Sequence, residues 1–248
     1  MSVAVLYDIH GNLPALEAVM LEIQNHPVDQ IVVGGDVIVG PMSRECLELL
    51  MALQVPIHYI KGNCEVSVLD QINSKPLPPL PESVIKDIQW TAEQMSKDHH
   101  DFMESWPLTN SLHLEGFGKI LFCHATPRNE NEIFTRETSE EKLIPIFKNL
   151  EADMVICGHT HMQFDRKVGT IRVLNAGSVG MPFGKTGAHW LLLGKEIEMK
   201  QTSYNLQNAA DLILESAYPS RESFTNTNLL NPPTEESMLE LFAKAELD

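Results

Sequence analysis

Positive charge is scarce in this sequence of 248 residues. Its 18 lysines and arginines stand against 34 aspartates and glutamates, which gives a formal net charge of -16. Non-specific binding to a nucleic-acid polymer or to an anionic membrane surface needs a basic surface, so we expect neither class of partner. A local positive site for an anionic small substrate must then come from bound metal.

Closely paired cysteines are missing as well, because no Cys-x-x-Cys sequence occurs. The four cysteines are Cys46, Cys64, Cys123 and Cys157. Their wide spacing beside apolar segments predicts reduced thiols rather than a disulfide framework. The first residues contain no basic region or cleavage site, and no apolar run is long enough to span a bilayer. We therefore expect a cytoplasmic protein.

The apolar residues are arranged in short runs that alternate with helical periodicities. The composition, 43% hydrophobic and 21% charged, is that of one globular domain with a sizeable core. Strands are predicted at about residues 3–7, 31–33, 56–60, 111–115, 120–123, 154–157, 171–174 and 189–193. Helices are predicted to begin near Asn12 and Ser43. Such alternation predicts an α/β fold with a partly parallel sheet covered by helices.

Two regions interrupt this alternation. Residues 75–81 are too rich in proline for a helix or a central strand, so we interpret them as a stiff connector, with a proline-rich ligand for a partner domain as the alternative. They belong to a predicted helical insertion at about residues 66–110, which could overhang the site as a lid. We place the main domain at residues 1–204. Residues 205–248 are predicted to be a helical appendage whose last helix ends at Asp248, with an acidic docking tail as the alternative.

Polar clusters follow most of the predicted strands. In α/β folds, ligand-binding and catalytic residues lie at these carboxyl ends of the strands. Residues two apart at a strand end point the same way, so Asp8 and His10 can face one ion. Asp36 follows two glycines that permit a tight turn, and its two carboxylate oxygens can bridge two cations. The candidate ligands are Asp8, His10, Asp36, Asn63, His124, His159 and His161.

Several of these residues have a simpler explanation when taken singly. Asp36 fits a turn or a helix cap, Asn63 fits an Asx-turn, and His124 fits a hydrogen-bonded core histidine. The run Gly158-His159-Thr160-His161 is harder to explain by packing, because two imidazoles follow an apolar strand. The recurrence of the clusters, rather than any single one, predicts a two-metal hydrolase site.

The donor set mixes carboxylate, amide and imidazole groups without thiolate. Such a set suits two divalent ions, with Mn expected first and Fe, Zn, Ni or Co as alternatives, rather than Ca or an iron-sulfur cluster. Two ions about 3.5 to 4 Å apart can hold a bridging hydroxide and present it in line to phosphorus. They also neutralise charge on the phosphoryl oxygens.

The order of the motifs resembles the calcineurin-like metallophosphoesterase superfamily, with Asp-x-His, Gly-Asp, Gly-Asn-x-Glu, His and Gly-His-x-His in sequence. Residues 10–19 and 175–180 resemble its small bacterial and archaeal phosphodiesterase branch, which includes diadenosine tetraphosphatase-like proteins. The resemblance covers about residues 3–193. It implies a four-layer α/β/β/α sandwich of two stacked mixed sheets flanked by helices.

The resemblance also implies roles for individual residues. It assigns Asp8, His10 and His161 to one metal, and Asn63, His124 and His159 to the other, with Asp36 bridging. It implies catalytic roles for Asp36, Asn63, Cys64 and His124, and substrate contacts for Asn63 and His161. Arg128, in a loop after a predicted strand, is a further candidate for binding substrate phosphate, with a solvated loop cation as the alternative.

Two departures from family patterns narrow the function. Residues 35–40 lack the Asp-Arg-Gly that follows in Ser/Thr protein phosphatases, so a protein phosphatase is not expected. Cys64 stands where many relatives carry a histidine that protonates the leaving group. A thiol that titrates near pH 8.5 is a candidate proton donor, and simple space filling is the alternative.

Together these features predict a binuclear-metal phosphodiesterase that acts on a small phosphodiester, a nucleotide or a dinucleoside polyphosphate. An inactive, metal-stabilised binding scaffold is the first alternative, although every candidate ligand position holds a plausible donor. A nuclease is the second, and the acidic charge and the missing basic, aromatic groove argue against it. The oligomeric state stays open.

Overall fold

Two five-stranded β-sheets are stacked on each other in this protein, whose computed structural model describes residues 1–247. The strands are β1 (Val3–Leu6), β2 (Gln30–Val33), β3 (Ile57–Tyr59), β4 (Thr109–Leu114), β5 (Gly118–Cys123), β6 (Met154–Cys157), β7 (Phe164–Val168), β8 (Ile171–Asn175), β9 (Ala188–Leu193) and β10 (Ile197–Thr202). The helices are α1 (Leu13–Ile23), α2 (Ser43–Ala52), α3 (Asn63–Ile72), α4 (Glu82–Gln94), α5 (Lys97–Glu104), α6 (Glu140–Phe147), α7 (Leu206–Glu215), α8 (Arg221–Ser223) and α9 (Glu235–Phe242), with a π-helix at Phe224–Leu230 between α8 and α9.

The first sheet has the strand order β10-β9-β1-β2-β3. Strands β1, β2 and β3 are parallel, whereas β9 and β10 are antiparallel to their neighbours. All four residues of β1 are buried, which fits a strand with both faces covered. Val3 and Val5 pack toward the second sheet, and Ala4 and Leu6 pack toward the helices. The uninterrupted apolar run at the N-terminus is therefore a central strand.

The second sheet has the order β4-β5-β6-β8-β7. Its centre is parallel, because β5 pairs with β6 and β6 pairs with β8 in that sense. Strands β4 and β7 are antiparallel edges. One core lies between the sheets and includes Tyr7, Phe122 and Ile156. Both sheets are mixed, as expected.

Helices cover the outer face of each sheet. Residues of α1, α2 and α3 pack on the first sheet, and α6 packs on the second with Phe147 in its core. Asn12 caps α1 by accepting a hydrogen bond from the Ala15 N–H at 3.2 Å. The layers therefore run helix, sheet, sheet, helix, and the predicted α/β/β/α sandwich is confirmed.

The insertion and the C-terminal tail are both helical. Residues 73–81 are largely irregular and link α3 to α4, in agreement with a proline-rich connector. The tail packs back on the insertion, where Tyr218 contacts Trp90 with ring centroids 5.4 Å apart. The last helix ends at Phe242, and the predicted end at Asp248 lies outside the described residues.

The sequence expectations omitted strands β7 and β10, helices α6 and α8, and the π-helix. Strands β7 and β10 are edge strands with several polar residues, so their apolar period is weak. Helix α6 contains Pro145, and proline is unfavourable in the interior of a helix. Helix α3 begins at Asn63, three residues before the predicted start of the helical insertion at about residue 66.

Parallel strands place the predicted ligands at one end of the sandwich. Asp8 follows β1, Asp36 follows β2, and Asn63 follows β3, while His124 follows β5. The run at residues 158–161 follows β6. Because these strands share a direction within each sheet, their carboxyl ends form one edge. Within residues 1–247, every helix is too short or too polar to cross a membrane.

Candidate metal centre

The seven predicted ligands meet in one buried cluster at this edge, and they divide into two groups. Asp8, His10 and His161 form the first group, with potential ligand atoms all within 4.8 Å of one another. His161 Nε2 lies 3.4 Å from Asp8 Oδ1 and 3.2 Å from His10 Nε2. We call this group the His161 group.

The second group contains Asp36, His124 and His159, again with potential ligand atoms within 4.8 Å of one another. Asn63 joins it, because its Oδ1 lies 3.0 Å from His124 Nε2. We call these four residues the His124 group. Asp36 Oδ2 lies 3.5 Å from His124 Nε2 and 3.8 Å from His10 Nε2. One carboxylate oxygen of Asp36 therefore stands between the two groups.

Left-handed backbone at several ligands turns their side chains inward. The φ angles are 54° at Asp8, 47° at His10, 53° at Asp36, 65° at His159 and 55° at His161. Residues other than glycine adopt such angles infrequently, and each costs roughly 1–3 kcal/mol that the surroundings must offset. The fold stabilises this strained backbone at the positions where the donors converge, which is typical of functional sites.

Backbone carbonyls fix the orientation of two imidazoles. His124 Nδ1 lies 2.9 Å from Gly34 O, and His161 Nδ1 lies 2.8 Å from Met181 O. A carbonyl can only accept, so Nδ1 of each ring carries a proton and Nε2 is the nitrogen that can bind a metal ion. In both residues it is Nε2 that faces the centre. This arrangement is typical of metal-binding histidines.

The buried carboxylates have unused acceptor capacity. Asp8 is fully buried, and its Oδ2 accepts a hydrogen bond from the His159 N–H at 2.9 Å. Its Oδ1 has no hydrogen-bond partner among the described residues. An unpartnered buried carboxylate oxygen is costly unless a cation satisfies it. The donor set therefore fits divalent metal ions.

The electrostatics of the cluster agree with this interpretation. Burial alone would lower the pKa of His124, but the neighbouring Asp36 carboxylate raises it to about 10. Burial lowers the pKa of His159 to about 4, and His124 contributes in the same direction. The pKa of Asp36 is lowered, because His124 outweighs the opposing effect of burial. Two ionised carboxylates thus draw positive charge into the cluster, which a proton or a metal ion can supply.

Glu65 lies in the Gly-Asn-x-Glu motif, but sequence reasoning assigned it no role in this centre. Its buried carboxylate accepts hydrogen bonds from the N–H groups of Asp36, Val37 and Gly62, each at 2.8 Å. It therefore joins the loop after β2 to the start of α3, and so places Asp36 beside Asn63. A glutamate three residues after Gly62, at the start of a helix, is the capping pattern that points to it.

The motif at residues 175–180 holds the centre from the other side. Asn175 donates to Gly158 O and Thr160 Oγ1, at 2.5 and 3.1 Å. Ser178 Oγ donates to Asp8 O at 2.7 Å. These contacts fix the loops that carry the ligands.

Cys64 and Arg128 lie at the border of the cluster. The Cys64 thiol donates to Asp36 Oδ2 at 3.2 Å. Arg128 lines a small cavity that also contacts His124, Leu108 and Thr109. Its guanidinium is paired with Glu132, with Nη2 2.6 Å from Oε1. Both residues are within the site region, but the charge of Arg128 is already matched.

Of the remaining histidines, His58 is half-buried on β3 and contacts Gln30 Oε1 at 2.7 Å. His189 is buried on β9. Neither is in the groups of potential metal ligands found within residues 1–247.

Comparisons with known proteins agree with the geometry. A family model described as the calcineurin-like phosphoesterase superfamily domain matches residues 1–196. The uncharacterized protein MJ0912 of Methanocaldococcus jannaschii is 27% identical over 240 residues, covering 88% of this chain and 93% of that protein.

Two solved structures share the fold. The hypothetical protein PH1004 from Pyrococcus horikoshii OT3 superimposes with a TM-score of 0.81 at 18% identity, covering 94% of this chain and 99% of that one. A metallophosphoesterase from Sphaerobacter thermophilus has a TM-score of 0.70 at 23% identity, covering 91% and 98%. At these identities the likeness concerns the fold alone.

Proposed function

Because the chain belongs to the calcineurin-like phosphoesterase superfamily and is thus a metal-dependent phosphoric ester hydrolase, we propose that it is a phosphodiesterase acting on small phosphodiesters, nucleotides or dinucleoside polyphosphates. The observation that carries the proposal is the position of Asp36 Oδ2, 3.5 Å from His124 Nε2 and 3.8 Å from His10 Nε2. A carboxylate between two donor groups is suited to bridge two ions.

The proposed ligands follow from this division. The His161 group would hold one ion, and Asn63, His124 and His159 would hold the other, with Asp36 shared. The mixed nitrogen and oxygen donors favour Mn, with Fe, Zn, Ni or Co as alternatives. When bound, two such ions would supply a hydroxide nucleophile and neutralise charge on the phosphoryl oxygens.

The protein's own residues then orient the substrate. Asn63 belongs to the His124 group and His161 to the other group, so we propose that each contacts a phosphoryl oxygen from its own group. Asp36, Asn63 and His124 would be catalytic through the geometry that they impose on the reacting groups. Arg128, which lines the cavity at His124, would contact a more distant part of the substrate.

The charges around the centre support a diester over a monoester. A monoester at neutral pH carries close to two negative charges, whereas a diester carries one. Arg128 is paired with Glu132, and the chain as a whole carries a net charge of -16. Cys64 also replaces the imidazole that would protonate a poor leaving group. The phosphoryl group that fits this site best carries one negative charge and a good leaving group, as in a diester or an internal phosphate of a dinucleoside polyphosphate.

The acidity of the chain also argues against a nucleic-acid polymer as the substrate, because such a polymer would need a basic groove. We further propose a cytoplasmic enzyme in which residues 1–204 form the metallophosphoesterase domain, with the insertion at about residues 66–110 beside it, and residues 205–248 form the helical appendage.

The test compares bis-p-nitrophenyl phosphate, p-nitrophenyl phosphate and diadenosine tetraphosphate as substrates. Metal-stripped protein would be assayed before and after addition of Mn, Ni, Co, Zn or Mg. Asp36→Asn removes the shared ligand, and Asp211→Asn is the matched control on the exposed face of α7. We expect metal-dependent cleavage of the diester or the polyphosphate that Asp36→Asn abolishes and Asp211→Asn retains.

Other results would contradict the proposal. Preferential cleavage of p-nitrophenyl phosphate would replace the diesterase by a monoesterase. Tight binding of two ions without cleavage of any of the three compounds would favour the inactive scaffold instead.

A further inference from the structure

The segment at residues 232–247 lies beyond residue 196, where the family match ends, and it contacts two loops near the centre. On one side, the Gly184 N–H donates to Pro233 O at 2.8 Å. On the other side, the Leu247 N–H donates to Ile133 O at 3.2 Å, and Arg136 forms an ion pair with Glu235. This C-terminal segment therefore ties together the loop at residues 181–187 and the loop at residues 130–139.

The loop at residues 181–187 holds the imidazole of His161. Met181 O accepts the Nδ1 proton at 2.8 Å, as described above. The Phe183 ring is stacked on the His161 ring, with centroids 5.2 Å apart and planes 20° from parallel. The hydrogen bond fixes one edge of the imidazole, and the stack restricts its tilt. Together they direct Nε2 toward Asp8 Oδ1, 3.4 Å away.

Helix α9 supports this stack. The Phe242 ring contacts Phe183 with centroids 6.1 Å apart and planes 54° from parallel. Both phenylalanines are half-buried, so neither is locked by a fully packed core. A continuous row of rings thus runs from α9 through Phe183 to His161. Aromatic pairs at these distances interact favourably beyond the apolar area that they bury.

We propose that Phe183 and Phe242 are positioning residues, through which the C-terminal segment sets the metal affinity of the His161 group. The inference rests on the two-metal centre proposed above. Removing the stack frees the imidazole to tilt while its Nδ1 hydrogen bond persists, which lowers the fraction of molecules with a competent ligand. Loss of an outer contact to a metal-binding histidine typically weakens metal binding by about 10- to 100-fold.

The test is isothermal titration of metal-stripped, full-length protein with Mn²⁺. The variants are Phe183→Leu, which removes the stack on His161, Phe242→Ala, which removes the support of that stack by α9, and Phe183→Tyr, which keeps the stack. Leu241→Ala is the matched control, since Leu241 is the neighbour of Phe242 on α9 and is 53% exposed. His161→Ala identifies the binding step that belongs to the His161 group. Thermal unfolding of each metal-free variant is measured in parallel.

We expect two binding steps in the wild-type protein. Phe183→Leu and Phe242→Ala should weaken the step that His161→Ala identifies by about tenfold or more and leave the other step unchanged. Phe183→Tyr and Leu241→Ala should bind as the wild type does. Phe242→Ala combined with His161→Ala should add nothing to the effect of His161→Ala on that step.

Three results would overturn the inference. In the first, both binding steps keep wild-type affinity in Phe183→Leu. In the second, both steps weaken equally and in proportion to a lower unfolding temperature, which would indicate general destabilisation of the protein. Wild-type protein without any Mn²⁺ binding would overturn the metal centre and this inference with it. Should Phe242→Ala fail to fold, the comparison of Phe183→Leu with Phe183→Tyr decides the question.

Discussion

The thiol of Cys64 donates a hydrogen bond to Asp36 Oδ2 at 3.2 Å, and this oxygen is the one that stands between the two donor groups. Burial raises the pKa of Cys64, and the Asp36 carboxylate raises it further. The thiol therefore keeps its proton at neutral pH, but it is a reluctant acid toward a leaving group. A general acid works best when its pKa is near the working pH.

Replacement of Cys64 by histidine should supply a better acid. We expect Cys64→His to raise turnover on esters with poor leaving groups, such as alkyl phosphodiesters, by about tenfold or more, and to change turnover on p-nitrophenyl esters little. The reason is that p-nitrophenolate leaves without protonation. Cys64→Ser, which keeps the size of the side chain without a useful acid, is the control. Equal effects of Cys64→His on both kinds of ester would contradict a role in acid catalysis.

Glu65 should be essential to the alignment of Asp36 with Asn63. Glu65→Gln replaces one carboxylate oxygen by an amide NH₂ group, which would face backbone N–H donors that now have an acceptor at 2.8 Å. We expect a loss of about 1–3 kcal/mol in the free energy of unfolding and a weaker affinity for both metal ions. Urea unfolding and metal titration measure the two effects. Glu17→Gln, on the exposed face of α1, should change neither.

The sequence singled out most of the candidate ligands because five of the seven follow strands β1, β2 and β6, which are largely apolar on both faces. The run Val3–Leu6 is buried throughout, and Asp8 lies two residues after it at the carboxyl end. Such a strand and the polar turn after it are both local features. The motif order then supplied the expectation of two stacked sheets, which the structure confirms.

What escaped prediction depends on contacts between distant parts of the chain. Glu65 lies in a recognisable motif, but its contacts with the loop after β2 exist only once that loop and the loop after β3 are neighbours. Phe183 likewise stacks on His161 only once β8 and β9 are in place. Edge strand β7 has polar residues between Phe164 and Val168, so its apolar and polar residues do not alternate clearly enough to predict a strand. Periodicity reports the burial of an element, but not which partners that burial brings together.

The stability of the metal-free protein should depend on His124. Its pKa is about 10 in the folded protein because of Asp36, against 6.5 for the ordinary side chain. The folded state thus holds a proton that the unfolded chain releases between these two values. The stabilisation is complete below pH 6.5 and is lost as the pH rises toward 10. We expect the free energy of unfolding to fall between pH 7 and about pH 9.5 in metal-free wild type.

The matched variant for that experiment is His124→Asn, which removes the titrating group. Its unfolding free energy, measured by urea at the same series of pH values, should change less with pH over this range. A parallel decline in both proteins would assign the effect to other groups.

Arg128 should contribute to substrate affinity, and its contribution should increase when its ion-pair partner Glu132 is removed. Glu132 now matches its charge at 2.6 Å, and the pair lies beside the cavity at His124. We expect Glu132→Gln to lower KM for an anionic diester a few-fold, because the freed guanidinium can turn to the substrate. Arg128→Gln should raise KM with little change in kcat. Steady-state kinetics on bis-p-nitrophenyl phosphate measure both, and an unchanged KM in both variants would show that Arg128 is a solvated loop cation.

The close approach of Gly40 to His10 should make any side chain at position 40 harmful to the centre. A Cβ atom on Gly40 would lie 1.7 Å from the backbone oxygen of His10, far inside the contact distance of a carbon and an oxygen. The added methyl group must therefore displace backbone rather than a flexible side chain, and the displaced segment carries the proposed metal ligand His10. We expect Gly40→Ala to lower the free energy of unfolding by about 1–3 kcal/mol and to weaken metal binding at the His161 group. Gly194→Ala is the control, because an added Cβ there meets nothing within 4 Å, and it should leave both quantities close to the wild-type values. A Gly40→Ala protein with wild-type metal affinity would show that the His10 loop adapts without moving its imidazole.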